Sequence, residues 1–279
     1  MRLQPVPLVG GCYADDTKPY SAQDCVNWIP ERAEVAGGRS DGMLRNAPGF
    51  SLFSQEPDPC AADVVSLLHM NGTSGSTTFR DETGKVWTAS GNAQISTTQS
   101  VFNGSSGYFD GVDDYISTPI SDDWQIQKNG ILFTIESWVW IDSSASTVSF
   151  ATSNSGAGFQ WYAGTSGNRK LFFVFAAASP FVSTGNIPEN QWAHIATVCT
   201  VKSFSPSAYE YKHYINGVAQ GTHTTSLGAN GSNETADVRI GTAQNGTADM
   251  KGYMAEFRLT QCARYADNFT PPTLPFSYP

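Results

Sequence analysis

The chain has 279 residues, of which 40% are apolar, 12% aromatic and only 15% charged, against roughly 25% charged in an average soluble domain. That composition excludes a largely disordered chain and supplies enough apolar material for one large domain or two smaller ones. Sixteen Lys and Arg against 25 Asp and Glu leave a net charge of -9, which argues against direct nucleic-acid binding and against an acidic membrane surface, because a phosphate-binding face needs a cationic excess.

Met1 to Gly10 holds one basic residue and two prolines and lacks the basic and apolar regions of a secretory leader. Classical secretion is therefore not expected. The longest wholly apolar run, Leu171 to Ala178, is far short of the roughly 20 residues that span a bilayer, so no membrane insertion is expected. The five cysteines, Cys12, Cys25, Cys60, Cys199 and Cys262, are odd in number and widely spaced, with no C-x-x-C pair. This pattern predicts free thiols in a reducing cytosol and neither zinc nor a disulfide framework.

Residues 1–56 are irregular in pattern, with Pro5, Pro7, Pro19, Pro30 and Pro48, many glycines and no sustained periodicity. They nevertheless carry Tyr20, Val26, Trp28, Ile29, Leu44 and Phe50, large apolar groups that are costly to leave in water. The reading is an extended arm, packed on its own domain or on another subunit. Arg32, Arg39 and Arg45 make it locally basic. Residues 57–60 form a stiff, Pro-rich hinge, and residues 61–279 a second unit.

From Ala61 onward short runs rich in Val, Ile, Phe, Tyr, Trp and Thr alternate with Gly, Asn, Ser and Asp clusters, the signature of an all-β sandwich. Strands are predicted over 107–116, 147–152, 158–162, 171–177, 192–202, 209–215, 238–241 and 253–260. The clearest is Phe133 to Ile141. Its odd positions form a core face, while Thr134, Glu136, Trp138 and Trp140 fall on the other. Asn216-Gly217 predicts a type I′ hairpin joining the run ending at Ile215 to Val218 onward. In the late strand Tyr253, Ala255, Phe257 and Leu259 are assigned inward and Met254, Glu256 and Arg258 outward. Pro271, Pro272, Pro275 and Pro279 forbid strand continuation, so the chain end is expected to drape over the sandwich.

Five segments, Ser106–Ile116 (SGYFDGVDDYI), Phe133–Val139 (FTIESWV), Gln191–Thr197 (QWAHIAT), Tyr214–Val218 (YINGV) and Gly252–Leu259 (GYMAEFRL), resemble, in order, the strands of the concanavalin A-like/laminin-G-like jelly roll. The ending Ala263–Phe276 (ARYADNFTPPTLPF) is similar to the tail of phage-encoded members. The resemblance implies an antiparallel two-sheet jelly roll used for carbohydrate or protein recognition. In the arm, Cys25–Glu31 (CVNWIPE) and Gly42–Gly49 (GMLRNAPG) resemble the start of packaged-DNA-stabilisation or tail-hub proteins of short-tailed phages. Those proteins continue into several hundred residues of their own β structure, whereas this chain passes directly to the jelly roll. What carries over is an attachment element, comprising Tyr20, Val26, Asn27, Trp28, Ile29, Pro30, Leu44, Arg45, Pro48 and Phe50.

Jelly-roll glycoside hydrolases resemble one another in an E-x-D-x-x-E strand that places two carboxylates at the scissile bond. Glu136 begins ESWVWID instead, and no such pair exists. G-x-S-x-G, a Walker loop and H-E-x-x-H are absent, and the four histidines show no metal-ligand spacing. His194 reads as a packed structural residue.

Two signals remain. Glu136, Trp138 and Trp140, with Phe172 and Tyr214 assigned to neighbouring strands, suit glycan contact, since sugars present apolar C–H faces to rings and hydroxyls to carboxylates; the alternative is a face covered by loops or a subunit. Asp110, Asp113 and Asp114 are candidate Ca²⁺ ligands in a laminin-G-like loop, although Asp-Gly is also what a tight turn prefers.

The leading expectation is a non-enzymatic phage virion component of the neck, tail or capsid, made in the host bacterial cytoplasm. Its arm would attach to portal, adaptor, nozzle or capsid proteins in a symmetric multi-copy assembly. The jelly roll would bind host-surface glycan or decorate and stabilise the particle. The alternatives are a tail-associated carbohydrate-active enzyme and a free lectin-like module.

Overall fold

The computed structural model describes residues 58–124, 126, 132–153, 158–175, 179–204, 207–225 and 236–278, together with the backbone of four short strands before them. The chain divides into two units, Met1–Pro59 and Cys60–Pro279.

In the first unit β1 (Cys12–Tyr13) pairs with β2 (Pro19–Tyr20), and β3 (Trp28–Arg32) pairs with β4 (Gly42–Asn46). The two arm motifs are thus the two sides of one antiparallel ladder, with Trp28 opposite Asn46, Ile29 opposite Arg45 and Pro30 opposite Leu44. Tyr20 lies on β2. Val26, Asn27, Pro48 and Phe50 lie outside the described residues.

The second unit is a jelly roll of two antiparallel sheets. The first sheet contains β5 (Val64–Leu68), β7 (Gln94–Ser96), β8 (Ser106–Asp110), β10 (Phe133–Ile141), β15 (Trp192–Phe204), β16 (Ser207–Ile215), β17 (Val218–Thr225) and β19 (Lys251–Thr260). Its order is β17-β16-β15-β10-β19-β8-β7, with β5 also pairing with β19. The second sheet contains β6 (Thr88–Ser90), β9 (Tyr115–Thr118), β11 (Val148–Thr152), β12 (Phe159–Ala163), β13 (Lys170–Phe175), β14 (Phe181–Asn186) and β18 (Val238–Ile240). It runs β14-β13-β12-β11-β18-β9-β6. Among the described residues no helix is long and apolar enough to cross a membrane.

The core lies between the sheets. Ile135, Val139 and Ile141 of β10 and Ala193, Ile195 and Cys199 of β15 face Phe150, Trp161 and Phe173 of the second sheet, all buried. The rings of Phe133 and Phe173 meet across the gap at 5.4 Å. One polar chain crosses this apolar layer. Trp161 Nε1 donates to Thr197 Oγ1 at 2.9 Å, Thr197 Oγ1 bonds His213 Nδ1 at 2.8 Å, and His213 Nε2 meets the Phe181 carbonyl at 3.0 Å. Burial pushes the His213 imidazole down to about 4, so it sits neutral in the core.

Four sequence expectations are corrected. The single strand expected over 107–116 is two, β8 and β9, in different sheets. Gly111 and Asp113 take positive φ between them (91° and 58°), and the turn re-aims the chain. In β19 the alternation slips at Ala255-Glu256, where Glu256 takes φ 55° and the register against Glu136 and Trp138 shifts. Met254 therefore enters the core, and Tyr253 and Ala255 turn outward, as cross-strand partners of Trp140 and Trp138. Phe172 lies in the second sheet, not beside β10. Finally, Cys60 and Cys262 form a disulfide, and Cys199 is a buried free thiol. The expectation of free thiols rested on the odd number and wide spacing of the cysteines, and neither reports that the two ends of the jelly roll meet.

The disulfide closes a loop with a sequence separation of 202, worth about 5 kcal/mol by chain entropy. Reduction, or Cys262→Ser, is expected to lower Tm by roughly 10–20 °C. Peptide mapping without reductant should recover Cys60 linked to Cys262; recovery of both as free thiols would overturn the pairing.

Candidate functional site

The outer face of the first sheet is divided in two by the C-terminal segment. Residues from Gln261 onward leave β19, fold back and lie across the sheet as a strap. The Cys262 carbonyl accepts from Thr134 Oγ1 at 2.7 Å, and Thr134 Oγ1 accepts from Arg264 N at 3.0 Å. Tyr265 and Phe269 stack at 3.6 Å and pack on Ala196, Val198 and Tyr214. Phe269 N donates to the Gly217 carbonyl at 2.9 Å, and Ala219 N donates to Asn268 Oδ1 at 2.8 Å.

The hairpin turn is part of this docking. Asn216 and Gly217 both take positive φ (50° and 75°), as a type I′ turn requires. A Cβ at Gly217 would lie 1.9 Å from the Phe269 carbonyl oxygen. Position 217 is therefore restricted to glycine twice, by its backbone angle and by the strap above it.

Beneath the strap lies Glu136, fully buried. Its Oε1 accepts from Arg258 Nη2 at 2.7 Å and Nε at 2.9 Å; its Oε2 accepts from Tyr265 Oη at 2.7 Å and faces His194 Nε2 at 3.2 Å. Arg264 Nε stands 3.7 Å away. Burial alone would raise this carboxyl's pKa, but Arg258, His194 and Arg264 outweigh it and hold the group well below the usual carboxylate range. An ionised carboxylate only accepts, so His194 Nε2 carries the proton. Its Nδ1 is buried without a hydrogen-bond partner.

A second buried carboxylate, Glu256, pins the end of the strap. It accepts from Phe276 N at 2.8 Å and from His69 Nδ1 at 2.8 Å, while the Arg258 guanidinium lies 3.9 Å over the Phe276 ring. The Glu256 hydrogen bond raises the His69 pKa against the opposing effect of burial.

Glu136 and Tyr214 are thus sealed from solvent, and the expectation that they contact a glycan is corrected. The composition of β10 could not show that a segment more than 120 residues later covers them. Phe172 is partly exposed on the second sheet, stacked on Tyr162 at 4.7 Å. Trp138 and Trp140 alone of the five stand on the open half of the outer face.

On that open half a groove of about 430 Å³ is lined by Val101, Phe102, Trp138, Trp192, Asn216 and the strap residues Thr270 to Thr273. Trp138 meets the Phe102 ring at 5.8 Å and the His194 ring at 5.5 Å. The indole Nε1 atoms of Trp138 and Trp192 are both buried without a hydrogen-bond partner, a condition that natural structures seldom leave unused. No charged side chain lines the groove. Neither Phe102 nor Trp192 lies on β10, the strand whose alternation marks it in the sequence; the register Trp140 opposite Trp192 places Trp192 here, and Phe102 comes from the segment before β8.

Asp110 and Asp114 are held as turn acceptors. Asp114, buried, takes Asp110 N at 2.7 Å and also the Asn92 amide. Asp110 Oδ1 accepts from Val112 N at 2.8 Å, and exposed Asp113 donates its amide to Asp249 Oδ2 at 3.3 Å. Among the described residues no three His, Cys, Asp or Glu side chains gather as a metal ion needs.

Two antiparallel sheets in this order, closed by a returning C-terminal strap, define a jelly-roll module. Residues 109–268, more than half of the chain, match the model of the concanavalin A-like lectin/glucanases superfamily, and the chain belongs to that family. Similar solved structures include the botulinum neurotoxin serotype C1 binding domain and the binding domain of Paraclostridial Mosquitocidal Protein 1. Each has a TM-score of 0.53 and 12% identity, and covers 73% of this chain and 50% of that one. A third, whose title states that cell entry of botulinum neurotoxin type C depends on interaction with two ganglioside molecules, has a TM-score of 0.52 and 12% identity, covering 73% and 49%. The chain spans about half the length of these proteins, and the likeness is one of fold. No curated protein sequence matches it.

Glu136 and His69 predict opposite pH dependences. Glu136, with its folded pKa depressed, contributes stability above the ordinary carboxylate range that is lost as pH falls. His69, with its folded pKa raised, contributes below about 6.5, and that stability is lost as pH rises through its folded value. Urea titrations against pH should show both limbs, the acid one flattened in Glu136→Gln and the alkaline one in His69→Gln. Glu136→Ala, which removes the buried carboxylate shared by Arg258, Tyr265 and His194, should cost about 3–5 kcal/mol.

Proposed function

We propose that the chain is a non-enzymatic recognition module whose jelly roll binds a host-surface glycan in the Trp138–Trp192 groove, carried on a phage virion by its N-terminal unit. The observation that carries the glycan reading is the groove itself: three aromatic side chains, no charge, and two buried indole N–H groups awaiting acceptors. Sugars supply C–H faces for the rings and hydroxyl oxygens for the donors. The dependence of one fold neighbour on gangliosides is in keeping with such a role for the fold.

The virion reading is supported by the arm motifs, which pair with one another as β3 and β4 in a unit separate from the jelly roll. The non-enzymatic reading is supported by Glu136, the acid of the central strand, which is committed to Arg258 and Tyr265 beneath the strap and offers no lone pair to a substrate.

Trp138→Ala with Trp192→Ala should abolish adsorption of particles to host cells, and binding of the purified protein to host polysaccharide, while leaving thermal unfolding cooperative. Unchanged adsorption would overturn the glycan reading, and release of reducing ends from that polysaccharide would replace it with an enzymatic one. Deletion of residues 1–56 should remove the protein from particles; normal occupancy would defeat the anchoring role.

A further inference from the structure

We infer that the glycan bound by this face is a neutral, chain-like polysaccharide that runs from the groove across the sheet on a ladder of four aromatic side chains, Trp192, Trp140, Tyr253 and Tyr108. This inference rests on the glycan reading above and specifies its ligand. The ladder follows from register. Trp192 of β15 is opposite Trp140 of β10, Trp140 is opposite Tyr253 of β19, and Tyr253 is opposite Tyr108 of β8. All four belong to adjacent strands, face outward and are partly exposed. Tyr253 joins the row because of the bulge at Ala255-Glu256, since unbroken alternation would have put it in the core.

Adjacent strands lie ~4.8 Å apart, so the row spans roughly 14 Å from Trp192 to Tyr108. That is the reach of a short oligosaccharide and exceeds a single sugar ring. The rings do not form one plane. Trp140 and Tyr253 meet at 5.5 Å with an interplanar angle of 81°, and Tyr253 and Tyr108 at 5.0 Å and 40°. A crystalline polysaccharide surface needs coplanar rings and does not fit; a single chain that turns from ring to ring does.

Charge fixes the remaining property. The groove carries no charged side chain. At the far end of the ladder Asp110 follows Tyr108 on the same face of β8, and Asp142 follows the end of β10. Hydrogen bonds from Ser144 hold the Asp142 carboxyl below its ordinary range, so it is ionised at neutral pH. The cation at this edge, Lys251, is opposite Asp110 and donates to Ser144 Oγ at 2.7 Å. A sialylated or uronate-rich chain would meet two carboxylates against one engaged ammonium, on a chain of net charge -9. A neutral chain offers its hydroxyls to the same carboxylates as donors.

The test is a glycan array carrying neutral and acidic oligosaccharides in length series from the monosaccharide upward, followed by calorimetry on the best neutral series. Full-length protein is compared with Tyr108→Ala, Tyr253→Ala and Trp138→Ala, each checked for cooperative unfolding. Tyr108 lies away from the groove near the sheet edge, so its variant keeps the test open should Tyr253→Ala misfold. The expected result is retention of neutral glycans with affinity rising with length, and a loss of roughly three- to tenfold per ladder ring removed for long chains, with the shortest binders unaffected. Length-independent affinity, a preference for acidic glycans, or full affinity in Tyr108→Ala and Tyr253→Ala would overturn the ladder while leaving groove recognition standing. Retention of no saccharide would defeat the recognition reading itself. Sedimentation of the wild type as an oligomer that Trp140→Asp dissociates would reassign the face to a second copy of the chain.

Discussion

The ion pair between Glu136 and Arg258 is the constraint around which the outer face is organised. A carboxylate taken wholly out of water costs several kcal/mol unless its lone pairs are met. Here the β10–β19 register supplies the guanidinium directly opposite, β15 supplies His194, and the strap supplies the last donor, the Tyr265 hydroxyl. Without the strap the charge would be half solvated and its partners misaligned; without the charge the strap would keep its apolar contacts but lose the bond that fixes its register. Sheet and strap therefore specify each other, a role for buried ion pairs that rests on specificity more than on net stabilisation.

That mutual specification decides which residues of the outer face are left uncovered. The strap covers the half of the face around Thr134, Glu136, Ala196 and Tyr214 and stops short of Trp138, Trp140, Trp192, Tyr253 and Tyr108. Between its anchors at Phe269 and Phe276 it contributes Thr270 to Thr273 as one wall of the groove. The wall is held at both ends, by the Gly217 carbonyl on one side and by Glu256 and Arg258 on the other. A groove built this way is largely preformed, so a ligand need not supply the ordering entropy of its own site.

What was legible in the sequence was local. The Asn216-Gly217 hairpin, the alternation of β10 and the proline-rich ending each depend on a few adjacent residues, and the jelly roll followed from several such signals in order. What was illegible depended on partners far along the chain. Glu136 reads as an exposed acid until a segment more than 120 residues later is seen to cover it, and Phe172 reads as a neighbour of β10 until the sheet order puts it on the other layer. The bulge in β19 was hidden for a different reason: its positive φ falls on Glu256, not on a glycine, so no residue type announces it. Its stabilisation is tertiary, through His69 and the Phe276 amide. That one slip moved Tyr253 from the expected core to the middle of the aromatic ladder.

The disulfide ties this arrangement to chemical setting. Cys60 precedes the first strand of the jelly roll and Cys262 follows the last, so their bond clamps the root of the strap where it leaves β19, and Arg264 Nη2 donates to the Cys60 carbonyl beside it at 3.4 Å. Such bonds form and persist in oxidising surroundings and are rare in a reducing cytosol. In the virion reading the chain is made in one setting and works in the other, which separates folding from final stability. The Glu136 cluster and the apolar contacts of Tyr265 and Phe269 hold the strap at points other than the disulfide, and the bond adds to them by lowering the entropy of the unfolded chain. The strap is therefore held twice over, by the buried polar and apolar contacts along its length and by the covalent bond at its root.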